Sequence, residues 1–208
     1  MLRSGCWLCS LTVCRSAQHF YQKWGLKQRM YLNLIIFGFF IITVWFVSCA
    51  AVAVCHELGH LFYGRQQKGK CLLLRVGWFI WLGSEKKLWF RPGYYRTPGC
   101  CVILCDSVRG YCKTAIGGIR ANLGFSAASF WGLIFFQWME VQLGILIFPA
   151  MFFAAASLFT ALVNQLQICG SDGQIERKLR RDTSYAAWFV RQQEKCFILL
   201  EYGLLDEF

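Results

Sequence analysis

The sequence predicts an α-helical polytopic membrane protein with three core transmembrane helices and a small β-region between the first and second. Three observations predict it. Hydrophobic residues make up 57% of the 208-residue chain and charged residues 16%, against about 25% charged in an average soluble domain. A chain of this length has too little interior to hide so much apolar surface from water, and its mean hydropathy is +0.42. The 22 Lys and Arg, against 11 Asp and Glu, gather in segments beside long apolar runs, as basic loops do on the cytoplasmic side of an inner membrane. Intrinsic disorder would need low hydrophobicity and high charge, and a nucleic-acid partner would need a solvated basic face. The sequence offers neither.

Residues 1–30 form a basic leader, with Arg3, Arg15, Lys23, Lys27 and Arg29 and no acid. Its apolar stretch from Cys6 to Val13 is far shorter than the roughly 20 residues a spanning helix needs, so an interfacial segment is expected. Tyr31 to Cys55 is an uncharged run that reaches across a hydrocarbon core of about 30 Å. The helical pattern continues through His56-Glu57-Leu58-Gly59-His60 to about Gly64, giving a first span over 31–64.

From Arg65 to Lys113 the chain carries ten Lys or Arg against Glu85 and Asp106. Cys71–Leu82 and Cys100–Cys105 are short runs bounded by Gly, Pro and charges, which predicts strands and a hairpin near Gly83-Ser84. Trp78, Trp81 and Trp89 suit a surface that dips into headgroups. Spans two and three fall at 114–138 and 141–166, the second opening on Gly117-Gly118 and the third containing Pro149. The membrane core is thus expected over 31–176 and a charged tail over 177–208, whose stretch from Ser184 to Leu205 can form an amphipathic surface helix.

Three spans place the basic 65–113 segment and the basic tail on one side, the cytoplasm, and the Gln137–Gln142 link outside. Parity also sends the leader outside against its five positive residues, in conflict with the positive-inside rule unless the leader forms a fourth membrane element. The expected location is a multi-pass position in a prokaryotic cell membrane, with the site described next towards the cytoplasm.

That site starts from two of the three histidines, His56 and His60. Residues four apart share a helix face, so both imidazoles can reach one ion at about 2.0–2.1 Å. Glu57 between them is placed to take a proton from a water whose pKa the metal lowers towards 7. Three ionisable groups at the end of an uncharged span are costly there and read as functional. Catalytic zinc usually has three protein ligands. Asp172 follows span three on the same side; Glu176 and Asp182 are alternatives in the charged tail, and Asp172-Gly173 is equally compatible with a simple turn.

These motifs resemble those of the site-2 protease family of intramembrane zinc metalloproteases, in a form without an inserted regulatory domain. The family carries HExxH on its first core helix and N-x-x-P-x-x-x-x-D-G at the end of the third. Here His56-Glu57-Leu58-Gly59-His60 matches the first, and Asn164 to Asp172-Gly173 keeps the interval of the second. Gly117-Gly118-Ile119-Arg120-Ala121-Asn122 resembles the family's G-P-x-x-N element. Departures are Gln167 for the family's proline, Gln174 for its second glycine, and the charge at Arg120. The resemblance implies that His56, His60 and Asp172 bind Zn²⁺, that Glu57 is the general base, and that Asn164 and Asn122 position substrate or the ligand loop. Asn122 is also open to a plain helix-packing role.

The implied activity is hydrolysis of a membrane-embedded or membrane-associated polypeptide near the cytoplasmic face, with the lipid bilayer as the other partner. The strand-like Cys71–Leu82 region could pair with an unwound substrate by β-addition. Iron or cobalt suits the same ligands. The alternative is a catalytically silent membrane scaffold or adaptor that retains the fold, and a peptide transporter component is a further alternative. The twelve cysteines are scattered and read as free thiols, with Cys55 and Cys169 near enough to the motifs to be stray ligands. His19 reads as a surface residue of the leader.

Overall fold

The computed structural model describes residues 6–83, 86–92, 99–139, 144–166 and 170–201. The chain divides into two compact units, Met1–Trp45 and Phe46–Phe208. Helix α1 is a single element over Cys6–Gln66, so the basic leader is helical backbone from Cys6 onward. The sheet, the remaining helices and the candidate site all belong to the second unit.

Among the described residues three helices are long and apolar enough to cross a membrane: Gln28–Gln66, Val108–Trp138 and Ile147–Gln165. The second comprises α2 (Val108–Ala115) and α3 (Gly117–Trp138), which meet at Ile116. It starts earlier than the apolar run because the Ser107 side chain accepts a hydrogen bond from the Gly110 amide and caps α2. The third is α4 (Ile147–Gln165), preceded by a 3₁₀ turn over Gly144–Leu146. Pro149 sits in the first turn of α4, where a missing N–H breaks no intrahelical bond. Of the link between α3 and α4, residues 140–143 lie outside the described residues.

The polarity of these helices is inverted relative to a soluble bundle. Asn122 and Ser157 are fully buried, while Phe39, Phe46 and Phe159 are each 69% exposed. Ser126 Oγ donates to the Ala154 carbonyl at 2.9 Å, tying α3 to α4 from the inside. Hydroxyl and amide groups turned inward, with aromatic residues turned outward, is the arrangement a hydrocarbon solvent selects.

Between α1 and α2 lies an antiparallel sheet of β1 (Lys70–Val76), β2 (Phe79–Leu82), β3 (Lys87–Phe90) and β4 (Gly99–Leu104), in the order β3-β2-β1-β4. The run from Cys71 to Leu82 is therefore two strands. Gly77, at φ +55°, turns the chain so that Val76 faces Phe79, a conformation that costs glycine little. The expected hairpin after Leu82 is also present, with Leu82 opposite Lys87, although Ser84 and Glu85 lie outside the described residues.

One core cluster joins Leu72, Leu73, Ile80, Leu82 and Val102. The other joins Ile103, Tyr111, Leu179 and Ala186, with Phe189 and Val190 packed against it. Two helices of the charged tail supply much of this packing: α5 (Asp172–Arg181) and α6 (Thr183–Glu201). The stretch expected as a surface helix thus turns its apolar stripe onto the sheet and α2, and residues 202–208 lie outside the described set.

Candidate metal centre

The HExxH pentapeptide lies in the last part of α1, and its position depends on a close approach of helix backbones. A Cβ on Gly59 would come within 2.5 Å of the Gly117 carbonyl oxygen and the Ala121 Cβ, and one on Gly117 within 2.7 Å of the Gly59 oxygen. Only paired glycines allow α1 and α3 so near, as small residues do at membrane helix interfaces. That approach brings Gly118 and Asn122 against the histidines. The Arg120 guanidinium lies 5.3 Å from the centre of the Tyr63 ring, giving the unexpected charge an aromatic partner.

His60 Nδ1 lies 2.7 Å from the Thr114 carbonyl oxygen. A carbonyl can only accept, so Nδ1 carries a proton and Nε2 is the nitrogen left to face a metal. The side-chain amide nitrogen of Asn122, Nδ2, lies 3.2 Å from His56 Nδ1. When His56 Nε2 is a ligand, Nδ1–H donates, and the Asn122 amide presents its oxygen to it, an orientation related to the other by a flip of the same planar group. Asn122 is completely buried and its Oδ1 otherwise has no hydrogen-bond partner. Asn122→Ala is expected to weaken metal affinity about 10–100-fold, as loss of a ligand-orienting partner does, with the fold intact. A chelator-competition titration with zinc measures it.

Asp172 reaches the histidines from the first turn of α5. Ser171 caps that helix, its Oγ accepting from the Gln174 amide and donating to the Leu166 carbonyl. Gln174 accepts from the Gly170 amide at 3.0 Å through Oε1, a bond that holds the loop before Asp172. Gly173 passes the end of α4 so closely that a Cβ would lie 2.8 Å from the Asn164 carbonyl oxygen. Gln167 and Cys169 lie outside the described residues.

The three donors converge. Asp172 Oδ2 is 2.8 Å from His56 Nε2 and 3.4 Å from His60 Nε2, and the two Nε2 atoms are 3.2 Å apart. A tetrahedron with bonds of about 2.0–2.1 Å has edges of roughly 3.3 Å, close to two of these separations and somewhat longer than the third. With both rings protonated at Nδ1, two lone pairs and a carboxylate face one point, and a cation there relieves their repulsion. When the rings are instead protonated at Nε2 they donate to Asp172: burial pushes its carboxyl upward, but those hydrogen bonds outweigh it and hold the group well below the usual carboxylate range, and a cation takes the place of those protons. Asp172 is therefore anionic at neutral pH, and the donor set fits a divalent ion such as Zn²⁺.

Glu57 is buried beside the cluster, against Gly99 at the start of β4, and its Oε2 has no protein hydrogen-bond partner. It lines a cavity of about 590 Å³ together with His56, His60, Asp172 and Asn164. Asn164 spends its Nδ2 on the Thr160 carbonyl of its own helix, leaving its backbone carbonyl against Gly173. The competing acids go elsewhere: Glu176 pairs with Arg180, and Asp182 Oδ1 accepts from the Tyr185 amide at the start of α6.

Cys55 is outside the ligand cluster, and burial, with Glu57 nearby, pushes the Cys100 thiol up to about 11. The eight cysteines whose side chains are described, from Cys49 to Cys196, are free thiols. The side chain of His19 lies outside the described residues.

The region expected to receive substrate by β-addition needs correction. β1 is paired on both sides, by β2 and β4, and β2 is paired by β1 and β3. Among the described residues the stretch from Cys71 to Leu82 therefore has no free edge. The open edges of the sheet belong to β3 and β4, and it is β4 that lines the cavity, through Gly99, Cys100, Cys101 and Ile103.

Fold and site together define a helical protein of membrane-spanning character with a candidate His₂Asp metal centre at the end of one long helix. The chain matches no protein-family model, no curated protein and no solved structure.

Proposed function

We propose that the protein is an intramembrane zinc metalloprotease that hydrolyses a membrane-embedded or membrane-associated polypeptide near the cytoplasmic face. The observation that carries this reading is the convergence of His56 Nε2, His60 Nε2 and Asp172 Oδ2 beside a buried glutamate whose Oε2 has no protein partner. A structural metal site has no use for a spare carboxylate in the same cavity; a hydrolytic one requires it. The resemblance of the HExxH and N-x₇-D-G segments to site-2 proteases points the same way.

His56, His60 and Asp172 would hold the ion, with Thr114 and Asn122 orienting the two rings. When bound, Zn²⁺ supplies a Lewis acid that polarises a peptide carbonyl and lowers the pKa of water towards 7. Glu57 Oε2 takes the proton of the water that adds to the carbonyl carbon. It then delivers that proton to the departing amide nitrogen as the C–N bond breaks. β4 has no strand on its outer side among the described residues, and an extended substrate segment would add there, which frees the scissile bond from helical hydrogen bonding. The basic 65–113 segment favours the cytoplasmic side for this half of the protein.

The test is metal removal. Detergent-purified protein is expected to hold about one zinc per chain and to cleave single-span model peptides. Activity should fall below detection with 1,10-phenanthroline and return on adding Zn²⁺. Cleavage indifferent to the chelator, or zinc-loaded protein that cleaves none of a varied peptide panel, overturns the reading.

A further inference from the structure

The cavity extends past the metal ligands. Cys49, Val52 and Ala53 of α1 line it, and so do Ala156 and Thr160 of α4. The α1 residues stand seven, four and three positions before His56, on its face of the helix, and reach about 10 Å along the axis. Ala156, Thr160 and Asn164 recur every fourth residue on α4 and line the same cavity. Among the described residues this arm has small, uncharged walls, and Thr160 supplies the hydroxyl.

Small walls are not what the composition of these helices imposes. The chain contains 19 Phe and 9 Trp. Phe46 on α1 and Phe159 on α4 stand on exposed surface, each 69% accessible. Bulk lies outside and space is kept inside, although interiors are normally filled to crystal-like density. A cavity arm lined by small apolar groups and continuous with a polar cluster is the form of a ligand subsite.

We infer that this arm is the side-chain subsite of the enzyme. It takes a bulky uncharged side chain, Leu or Phe, from the polypeptide residue beside the hydrolysed bond, and Ala53 and Ala156 set its size limit. The position relative to the scissile bond rests on the hydrolase reading; the binding of the side chain does not. A charged side chain finds no counter-ion in the arm and is rejected, since an unpaired charge there is costly.

The test separates binding from hydrolysis. A model transmembrane peptide carrying one photo-leucine near its middle is irradiated with the Glu57→Gln protein in detergent, and the adducts are mapped by mass spectrometry. They should fall within residues 49–56 and 156–164. Ala156→Phe and Ala53→Leu, which fill the arm from two different helices, should each lower them at least tenfold, while Phe159→Ala on the exposed surface leaves them unchanged. In the wild-type background Ala156→Phe should shift cleavage at least tenfold from peptides with Leu or Phe at the variable position to those with Ala, within the 10–200-fold that an apolar pocket can discriminate. Adducts spread over the exposed surface, no adducts at all, or adducts indifferent to both filling variants would show that the arm holds detergent or an acyl chain instead. Adducts confined to the arm without cleavage by the wild-type protein would sink the hydrolase reading and leave the subsite standing.

Discussion

Glu57→Gln is expected to abolish peptide hydrolysis while leaving zinc content at about one per chain. The two side chains are nearly identical in shape, so the packing of Glu57 against Gly99 survives. Gln cannot accept the water proton and return it to the leaving nitrogen. General acid–base catalysis contributes about 10²–10⁴-fold, and in the proposed mechanism Glu57 serves both proton transfers, so a loss near the upper end is expected, in kcat rather than in KM. The proposed ligands His56, His60 and Asp172 are untouched and should continue to hold the ion. The measurement is paired: metal content by mass spectrometry and cleavage of a model transmembrane peptide, on the same preparation. Unchanged cleavage would remove Glu57 from the mechanism. Zinc loss in the variant would make Glu57 a ligand or a structural prop, and would favour the scaffold alternative.

How legible this site was depends on how local each part of it is. His56, Glu57 and His60 are fixed relative to one another by one turn of helix, so spacing alone nominates them. Asp172 comes from the far end of the chain, and spacing left Glu176 and Asp182 open beside it. They are set aside only by partners that depend on the turn of α5: Arg180 for one and the Tyr185 amide for the other. The Thr114 carbonyl that fixes the His60 tautomer was missed, because a backbone carbonyl has no residue signature. Asn122 was visible as part of a motif, but its contact with His56 requires the close approach of α1 and α3.

The fold divides along the same line. Apolar runs mark the membrane helices because length and charge are local properties. The division of Cys71–Leu82 into two strands had a local signal, a single glycine in a strand-like run, and Gly77 provides it. The placement of α6 had none. An apolar stripe of Ala186, Phe189 and Val190 suits a lipid surface and a protein core equally, and only the sheet and α2 waiting opposite decide between them.

The second large effect comes from adding one methyl group. A Cβ on Gly118 would lie 2.6 Å from His56 Cε1 and 2.7 Å from both His56 Nε2 and His60 Nε2. No real Cβ tolerates such distances, so either α3 retreats or the rings turn. Retreat is opposed by the Gly59–Gly117 contact and by the ties from Asn122 to His56 and from Thr114 to His60. Turning the rings breaks those ties and carries Nε2 away from Asp172 Oδ2. Gly118→Ala is therefore expected to lower zinc affinity by more than 100-fold and to bring hydrolysis below detection. On propensity alone the substitution should stabilise the helix by up to about 1 kcal/mol. Gly124→Ala, on the same helix with nothing within 4 Å of the new methyl, provides the comparison: it receives the propensity gain and should retain full zinc and activity. Thermal unfolding with and without added zinc separates the two contributions. Gly118→Ala should lose the zinc-dependent rise in Tm that the wild type and Gly124→Ala share, because a ligand stabilises only the state that binds it. If Gly118→Ala kept full zinc, His56 and His60 would not be held where the ion must sit, and the His₂Asp assignment would fall with them.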